Sequence, residues 1–215
     1  MIKKAGIVNY GAGNLMSIAK AIKVLGLETT ILNNGKESSN LDLLVLPGVG
    51  NFGAAISTIK QNSLYEKIIH FFRSGKPILG ICLGIQLIFE RSEEAKNAEG
   101  LKLFKGKVVK FRFSSRDTAC RRLPVPHMCW NIVKFKTSHP ILLAGLKVEE
   151  YFYFVHSYYP VPEEKDIIFA TANYGSEFCA MVVKGNVVAT QFHLEKSGNI
   201  GLKLLKNIIH YFNKL

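Results

Sequence analysis

The stretch Gly80-Ile81-Cys82-Leu83-Gly84 constrains this chain more than any other. It joins an apolar, strand-like run, Pro77-Ile78-Leu79, to a helix-like run from Ile85 to Glu90. A side chain carried on a sharp strand-to-helix turn needs small residues two places before and after it, because the backbones crowd there. Gly80 and Gly84 meet that demand. The turn pushes Cys82 out over a sheet edge. The helix that follows points free N–H groups and its positive dipole end at the sulfur, which favours thiolate over thiol. A glycine-flanked cysteine is also a common buried small hydrophobe, so the far end of the chain matters. Gln191-Phe192-His193-Leu194-Glu195 closes a strand-like stretch. In extended chain His193 and Glu195 project from one face. A cysteine nucleophile needs a base and the base needs an orienting group. Cys82, His193 and Glu195 supply all three, in that order.

The elbow sits in an alternating pattern. Lys4 to Asn9 reads as a strand, Leu15 to Leu25 as a helix with apolar Ile18, Ile22 and Leu25, and Glu28 to Leu32 as a second strand. Leu41 to Leu46 is a continuous apolar run, typical of a strand covered on both faces. It ends in Pro47-Gly48-Val49-Gly50-Asn51-Phe52-Gly53, and Ala54 to Ser74 is mostly helical in pattern. Alternating strands and helices imply a parallel sheet, whose ligands gather at the strands' carboxyl ends. Both Pro47-Gly48-Val49-Gly50 and the elbow lie there. The glycine-rich turn Tyr10-Gly11-Ala12-Gly13-Asn14 lacks the third glycine and the following acid of a dinucleotide fingerprint. The second half changes character, with strand-like segments at Leu103 to Phe111, Met128 to Phe135, Tyr151 to Tyr159, Ile167 to Tyr174 and Phe178 to Phe192, the last split by Lys184-Gly185-Asn186. Ser197 looks like the N-cap of a closing helix with an apolar face through Ile200, Leu204, Leu205, Ile208, Ile209 and Phe212. The expected fold is α/β: a mostly parallel open sheet flanked by helices, with an antiparallel β extension in the second half, in a single domain over residues 1–215.

At 215 residues and 48% hydrophobic content, the chain can bury a real core. No apolar run reaches membrane-span length, and Met1 runs straight into a strand pattern with no secretory signal. The four cysteines, Cys82, Cys120, Cys129 and Cys179, show no C-x-x-C spacing. Cys120, His127 and Cys129 lack an evident fourth ligand for zinc, so structural thiols are expected there, with no metal and no cofactor. The net charge of +12 raises nucleic acid as a partner. The denser patch, Lys102, Lys105, Lys107, Lys110, Arg112, Arg116, Arg121 and Arg122, interleaves Phe104, Phe111 and Phe113 at strand spacing. That fits a solvated face over a core better than a base-stacking platform. No direct nucleic-acid partner is expected. Asp117 to Arg122 is expected to be an exposed loop.

With these motifs in place, the chain resembles the class I (triad) glutamine amidotransferases over essentially its whole length. Asn9 to Leu15, Leu46 to Gly53, Gly80 to Gln86, Pro126-His127-Met128-Cys129-Trp130-Asn131, Phe154 to Tyr159 and Gln191 to Ser197 carry the resemblance. The elbow and His-x-Glu mark the superfamily. The P-G-V-G-x-F-G, P-H-M-x-W-N and F-V-H-S-Y-Y stretches narrow it to the glutaminase subunits of imidazole glycerol phosphate synthases in histidine biosynthesis. The resemblance implies glutamine hydrolysis through Cys82, His193 and Glu195, oxyanion donors from Leu83 and the Gly48-Val49 peptide, and a glutamine site of Gly50, Gln86, Glu94, Ser157 and Tyr158. It implies a cytoplasmic heterodimer with a (β/α)8-barrel cyclase that receives the ammonia, with Asn14, Trp130 and Lys196 near the interface. The family usually has glycine where Cys129 stands, proline where Leu194 stands and often aspartate where Asn9 stands. Leu194 bears on the presentation of its two neighbours, and Cys129 adds bulk in a tight segment. These departures leave room for a paralogue serving another synthase, such as one that modifies a surface sugar. A stand-alone thiol hydrolase or an inactive binding paralogue fits less of the pattern.

Overall fold

Apolar runs with no polar alternation become strands covered on both faces. In the computed structural model, which describes residues 1–11, 13–35, 40–113 and 123–215, the elements follow in chain order. They are β1 (Lys4–Val8), α1 (Leu15–Val24), β2 (Glu28–Leu32), β3 (Leu43–Leu46), α2 (Phe52–Gln61), α3 (Leu64–Arg73), β4 (Ile78–Ile81) and α4 (Leu83–Leu87). The second half holds β5 (Arg91–Ser92), β6 (Ala95–Glu99), β7 (Gly106–Lys110), β8 (His127–Phe135), β9 (Glu149–His156), β10 (Tyr158–Pro162), β11 (Ile168–Asn173), β12 (Glu177–Lys184), β13 (Val187–Thr190) and α5 (Gly198–Phe212).

The main sheet has nine strands in the order β2-β1-β3-β4-β13-β12-β11-β8-β9. Strands β2 to β13 in that order run parallel, and the strands beyond β13 run antiparallel, as expected for the two halves. Successive residues of β3 feed opposite cores: Leu43 and Val45 pack with α1 and α5, whereas Leu44 and Leu46 pack with α2 and α3. A second sheet, β10-β7-β5-β6, was not anticipated. Its two-residue β5 and mostly exposed β6 are too short and polar to announce themselves as strands. No helix of the described residues is long and apolar enough to cross a membrane.

Local departures from expectation have physical reasons. The mostly helical stretch expected over Ala54 to Ser74 forms two helices, broken where Ser63 takes a left-handed φ of 55°. The strand expected from Tyr151 to Tyr159 breaks at Ser157, sending β9 to the main sheet and β10 to the small one. The helix after the elbow spans five residues, Leu83–Leu87, not Ile85 to Glu90, so its dipole at the sulfur is weaker than expected. Phe104 and Phe111 are buried, and Phe113 packs against the core, in keeping with a core face. Ala12, Arg116, Cys120 and the loop expected at Asp117 to Arg122 lie outside the described residues.

Candidate active site

Cys82 occupies the junction of β4 and α4 with φ 52° and ψ −98°, a conformation that L-residues rarely adopt. The surrounding backbone holds it there. Its N–H donates to Thr190 O at 2.7 Å, locking the elbow to the end of β13. A Cβ on Gly84 would lie 2.2 Å from Leu46 O, and one on Gly80 would lie 2.9 Å from Ala189 Cβ. Both glycines are therefore fixed by close approach, the crowding expected of the elbow.

His193 and Glu195 meet, but not by the route expected. β13 ends at Thr190, and Leu194–Lys196 forms a 3₁₀ turn rather than extended chain. The turn places His193 Nδ1 2.7 Å from Glu195 Oε1, with both side chains essentially buried. Asn14 Nδ2 donates to the same carboxylate oxygen at 3.3 Å. Asn14 was expected near a partner; here it also serves the carboxylate, and it makes no side-chain cap for α1. Ser197 stands at the N-cap position of α5 without capping it. Its hydroxyl donates to His193 O at 2.5 Å and accepts from Tyr153 N–H at 3.0 Å, so it braces the histidine turn instead. Leu194 is buried in the main core.

Among the described residues, His193 Nε2 and Glu195 Oε2 are buried without a hydrogen-bond partner. Burial opposes the protonated imidazole, but the sulfur of Cys82 once it has given up its proton, with the Glu195 carboxylate, outweighs burial and holds His193 above its usual value. The sulfur is thus in electrostatic reach of Nε2. In this state its thiol lies 3.6 Å from Val155 O, and Gln191 Nε2 lies 3.7 Å from it on another side.

The sulfur opens into a cavity of about 260 Å³ lined by Gly48, Val49, Gly50, Leu83, Gln86, Glu94, Ser157 and Tyr158 among others. The expected glutamine-site residues and oxyanion donors therefore share one pocket with Cys82. Glu94 lies in the turn between β5 and β6. Its Oε2 accepts Phe52 N–H at 2.7 Å, which tethers it to the start of α2. Gln86 is buried on α4 and donates to Tyr158 O at 2.9 Å and Gln191 Oε1 at 3.2 Å. Gly50 adopts φ 153°, open to glycine but strained for other residues.

One expected donor is not free. Leu83 N–H donates to Gly48 O at 3.1 Å, so a carbonyl occupies the direction an oxyanion would take. The loop carrying Gly48 is pinned on its other side, where Gly13 N–H donates to Val49 O at 3.2 Å. The buried Tyr10 hydroxyl donates to Pro47 O.

Two histidines that the sequence reading left without a role in the site are buried. His156 Nδ1 is 2.8 Å from Tyr158 O, a group that can accept but never donate, so Nδ1 carries the proton. His156 Nε2 then accepts from His127 Nδ1 at 3.0 Å, and His127 Nε2 accepts from Asn131 Nδ2 at 3.2 Å. Desolvation drives both below the usual value, His127 to about 4 and His156 to about 3, His156 also feeling the neighbouring histidines. The zinc-like trio including His127 is thus spoken for on the histidine side. Cys129 is exposed rather than tightly packed.

Trp130 is 52% exposed and so lies outside the core. It shares a face of β8 with exposed Met128 and Ile132, beside exposed Tyr151 on β9. Its ring lies 6.2 Å from Tyr153, over which Lys196 Nζ sits at 5.9 Å. Trp130 and Lys196 therefore meet in one surface cluster beside His193, while Asn14 approaches from the carboxylate side.

An elbow thiol and a buried imidazole–carboxylate pair thus meet beside one pocket of an α/β sheet. A family model for class-I glutamine amidotransferases matches residues 6–211, and the chain belongs to that family. Among curated relatives, "Imidazole glycerol phosphate synthase subunit HisH" of Caldanaerobacter subterraneus is 46% identical, covering 94% of this chain and 95% of that one. The HisH subunit of Sulfurimonas denitrificans is 47% identical, covering 96% and 98%, and that of Methanocaldococcus jannaschii 45%, covering 95% and 97%. The PurLQS structure from Thermotoga maritima shares the fold, with a TM-score of 0.73 at 19% identity over 98% of this chain and 99% of that one.

Proposed function

We propose that Cys82, His193 and Glu195 are the catalytic triad of a glutaminase whose oxyanion site is gated by the Gly48-Val49 peptide. The chain acts as the glutaminase subunit of imidazole glycerol phosphate synthase, in keeping with relatives of that name at 45–47% identity over 94–96% of its length. The observation that carries the residue assignment is the shared pocket: the Cys82 thiol and the Glu94 carboxylate face one cavity, backed by the buried His193–Glu195 pair.

The chemistry follows from that arrangement. Glutamine enters with its ammonium toward Glu94 and its side-chain amide at Cys82. The thiol proton passes to His193 Nε2 as sulfur bonds to the amide carbon. The C–N bond breaks as His193 returns the proton to the departing nitrogen, leaving a thioester and ammonia. Water, deprotonated by His193, then cleaves the thioester to glutamate and free thiol. Glu195 fixes the Nδ1–H tautomer and supports the imidazolium throughout.

The Leu83 N–H can serve the oxyanion once Gly48 O leaves it. Turning the Gly48-Val49 peptide moves that carbonyl out and the Val49 N–H in, supplying both donors together. Losing one such donor costs on the order of 10²–10³ in rate, so the resting loop is a brake. A docked partner that binds the turned loop better than the resting one releases it. The exposed cluster around Trp130, Tyr153 and Lys196 is the surface for that partner, a (β/α)8-barrel cyclase in the cytoplasm.

Glutamate release by the chain alone, then with a barrel cyclase and its ribonucleotide ligand, tests the gating. Turnover is expected to rise at least 100-fold, by the oxyanion argument. A glutamine-like electrophile is expected to modify Cys82, read by mass spectrometry. Full turnover without any partner removes the gate, and modification at Cys129 or Cys179 removes the triad.

A further inference from the structure

The buried polar side chains behind the nucleophile form one hydrogen-bond chain with a fixed direction. Tyr158 O is its starting point, because a carbonyl only accepts. It therefore dictates that the nitrogen end of Gln86 faces it, at 2.9 Å. The same Gln86 nitrogen also lies 3.2 Å from Gln191, so the oxygen end of Gln191 must meet it. That leaves the nitrogen end of Gln191 directed at Cys82 Sγ, 3.7 Å away. Gln191 is fully buried, between β13 and His193, and its own backbone is held by Gln191 N–H to Ala180 O at 2.8 Å. An amide in such a place has no solvent to turn toward. Behind Tyr158, His156 Nδ1–H occupies the carbonyl's remaining lone pair at 2.8 Å and resists any reversal.

The sulfur is thus met by two opposed groups. Val155 O, at 3.6 Å, accepts the thiol proton and disfavours a negative sulfur. The Gln191 N–H does the reverse. We infer that Gln191 is a positioning residue for the nucleophile: its amide N–H, aimed by the Tyr158 carbonyl through Gln86, holds Cys82 Sγ and favours its ionised form. This rests on Cys82 being the nucleophile. When the thiol proton leaves for His193, the Val155 contact is lost and the Gln191 contact strengthens, since hydrogen bonds to ions are the stronger kind. The sulfur then stays at the cavity mouth rather than following the proton.

Gln191→Met and Gln191→Glu test it. Methionine keeps the volume without the donor. Glutamate keeps an acceptor for Gln86 and turns a negative group toward sulfur. The readout is the rate of Cys82 alkylation by iodoacetamide against pH, site-resolved by mass spectrometry, with glutamine KM and kcat in the complex with a barrel cyclase. The other ionisable groups bearing on this sulfur, His193 with Glu195 behind it, Tyr10 and, through His193, His156, are unchanged in both variants. In the methionine variant the alkylation profile is expected to move to higher pH by about one unit, the worth of a hydrogen bond to a charged group. The glutamate variant moves further. For the methionine variant kcat is expected to fall roughly tenfold for that one unit, with KM within about threefold because Gln86 keeps Tyr158 O. Wild-type alkylation profiles in both folded variants overturn the inference while leaving the triad standing. Failure of Cys82 to alkylate in the wild-type chain overturns the triad itself.

Discussion

His193 and the His127–His156 pair are all buried within one site, yet the fold treats them oppositely. His193 has a carboxylate at 2.7 Å and a sulfur in electrostatic reach, so its charged form is favoured despite burial. His127 and His156 have each other, a carbonyl and an amide, and desolvation keeps them neutral. The partner decides the chemistry of a buried imidazole more than burial does. In the proposed mechanism one histidine carries a proton. The other two are built to hold a wall in place, because a neutral imidazole donates from one nitrogen and accepts at the other and so transmits direction.

The largest effect comes from making His193 resemble the other two. Glu195→Gln keeps the shape but removes the charge, and its amide can face Nδ1 with either end. We expect kcat to fall on the order of 10³ or more, with glutamine KM changing little, because the charge is needed mostly in the transition state. Steady-state kinetics of the complex decides this. Wild-type turnover in the variant would mean that Glu195 is structural and that the contrast between the histidines has no catalytic meaning.

A smaller effect comes from the wall. His156→Leu removes the donor to Tyr158 O and strands the His127 N–H. Leaving a buried polar group unpaired costs about 1–3 kcal/mol of stability. Because Tyr158 and Ser157 line the cavity, glutamine KM is expected to rise roughly tenfold, the equivalent of about 1.4 kcal/mol of pocket order. The fall in kcat should be the lesser change. Denaturant melts and glutamine kinetics measure the two, and a variant with unaltered KM would reduce the pair to ordinary packing.

Legibility in the sequence divides along the same line. The elbow could be read because backbone crowding demands glycine at fixed spacing, and Gly80 and Gly84 stand where Leu46 O and Ala189 Cβ leave no room for a side chain. The parallel strands could be read because Leu43–Leu46 and Ile78–Ile81 are apolar on both faces. What could not be read depends on residues distant in sequence. Asn14 and Glu195 are 181 positions apart, Gln86 and Gln191 105 apart, and no local pattern joins them. The Leu83 N–H could be picked out as a candidate donor from its place after Cys82, but its capture by Gly48 O is a conformational fact that residue types do not encode. Gln191 lay in plain sight within Gln-Phe-His-Leu-Glu. The available signal was a polar side chain just past a fully buried strand, Val187–Thr190.

The smallest effect is the most direct reading of the histidine contrast, and it concerns stability against pH. An unfolded histidine titrates near 6.5, whereas His127 and His156 in the fold titrate at about 4 and about 3. Between those values the unfolded chain binds protons that the folded chain refuses. Their contribution is therefore fully present above about pH 6.5 and is lost as pH falls toward 4, at about 1.4 kcal/mol per pH unit for each proton. His193 has the opposite sign: raised in the fold, it contributes below its ordinary value and loses that contribution as pH climbs through the folded one. At Asp42 desolvation is the largest single influence, but the Lys3 and Lys4 backbone N–H groups and nearby positive charges together outweigh it and lower the carboxyl, so its contribution is lost only below its ordinary value of 3.8, outside the window. Urea midpoints should thus rise as pH falls from about 7.5 toward 6.5, where the His193 contribution is regained, and then fall toward about pH 4.5 with a slope approaching two protons. His156→Leu and His127→Phe, the latter keeping a ring against Phe154 and Tyr174, should each flatten the slope by about one proton. A wild-type slope in both variants would assign the acid sensitivity to other groups and would leave the neutral pair without its thermodynamic signature.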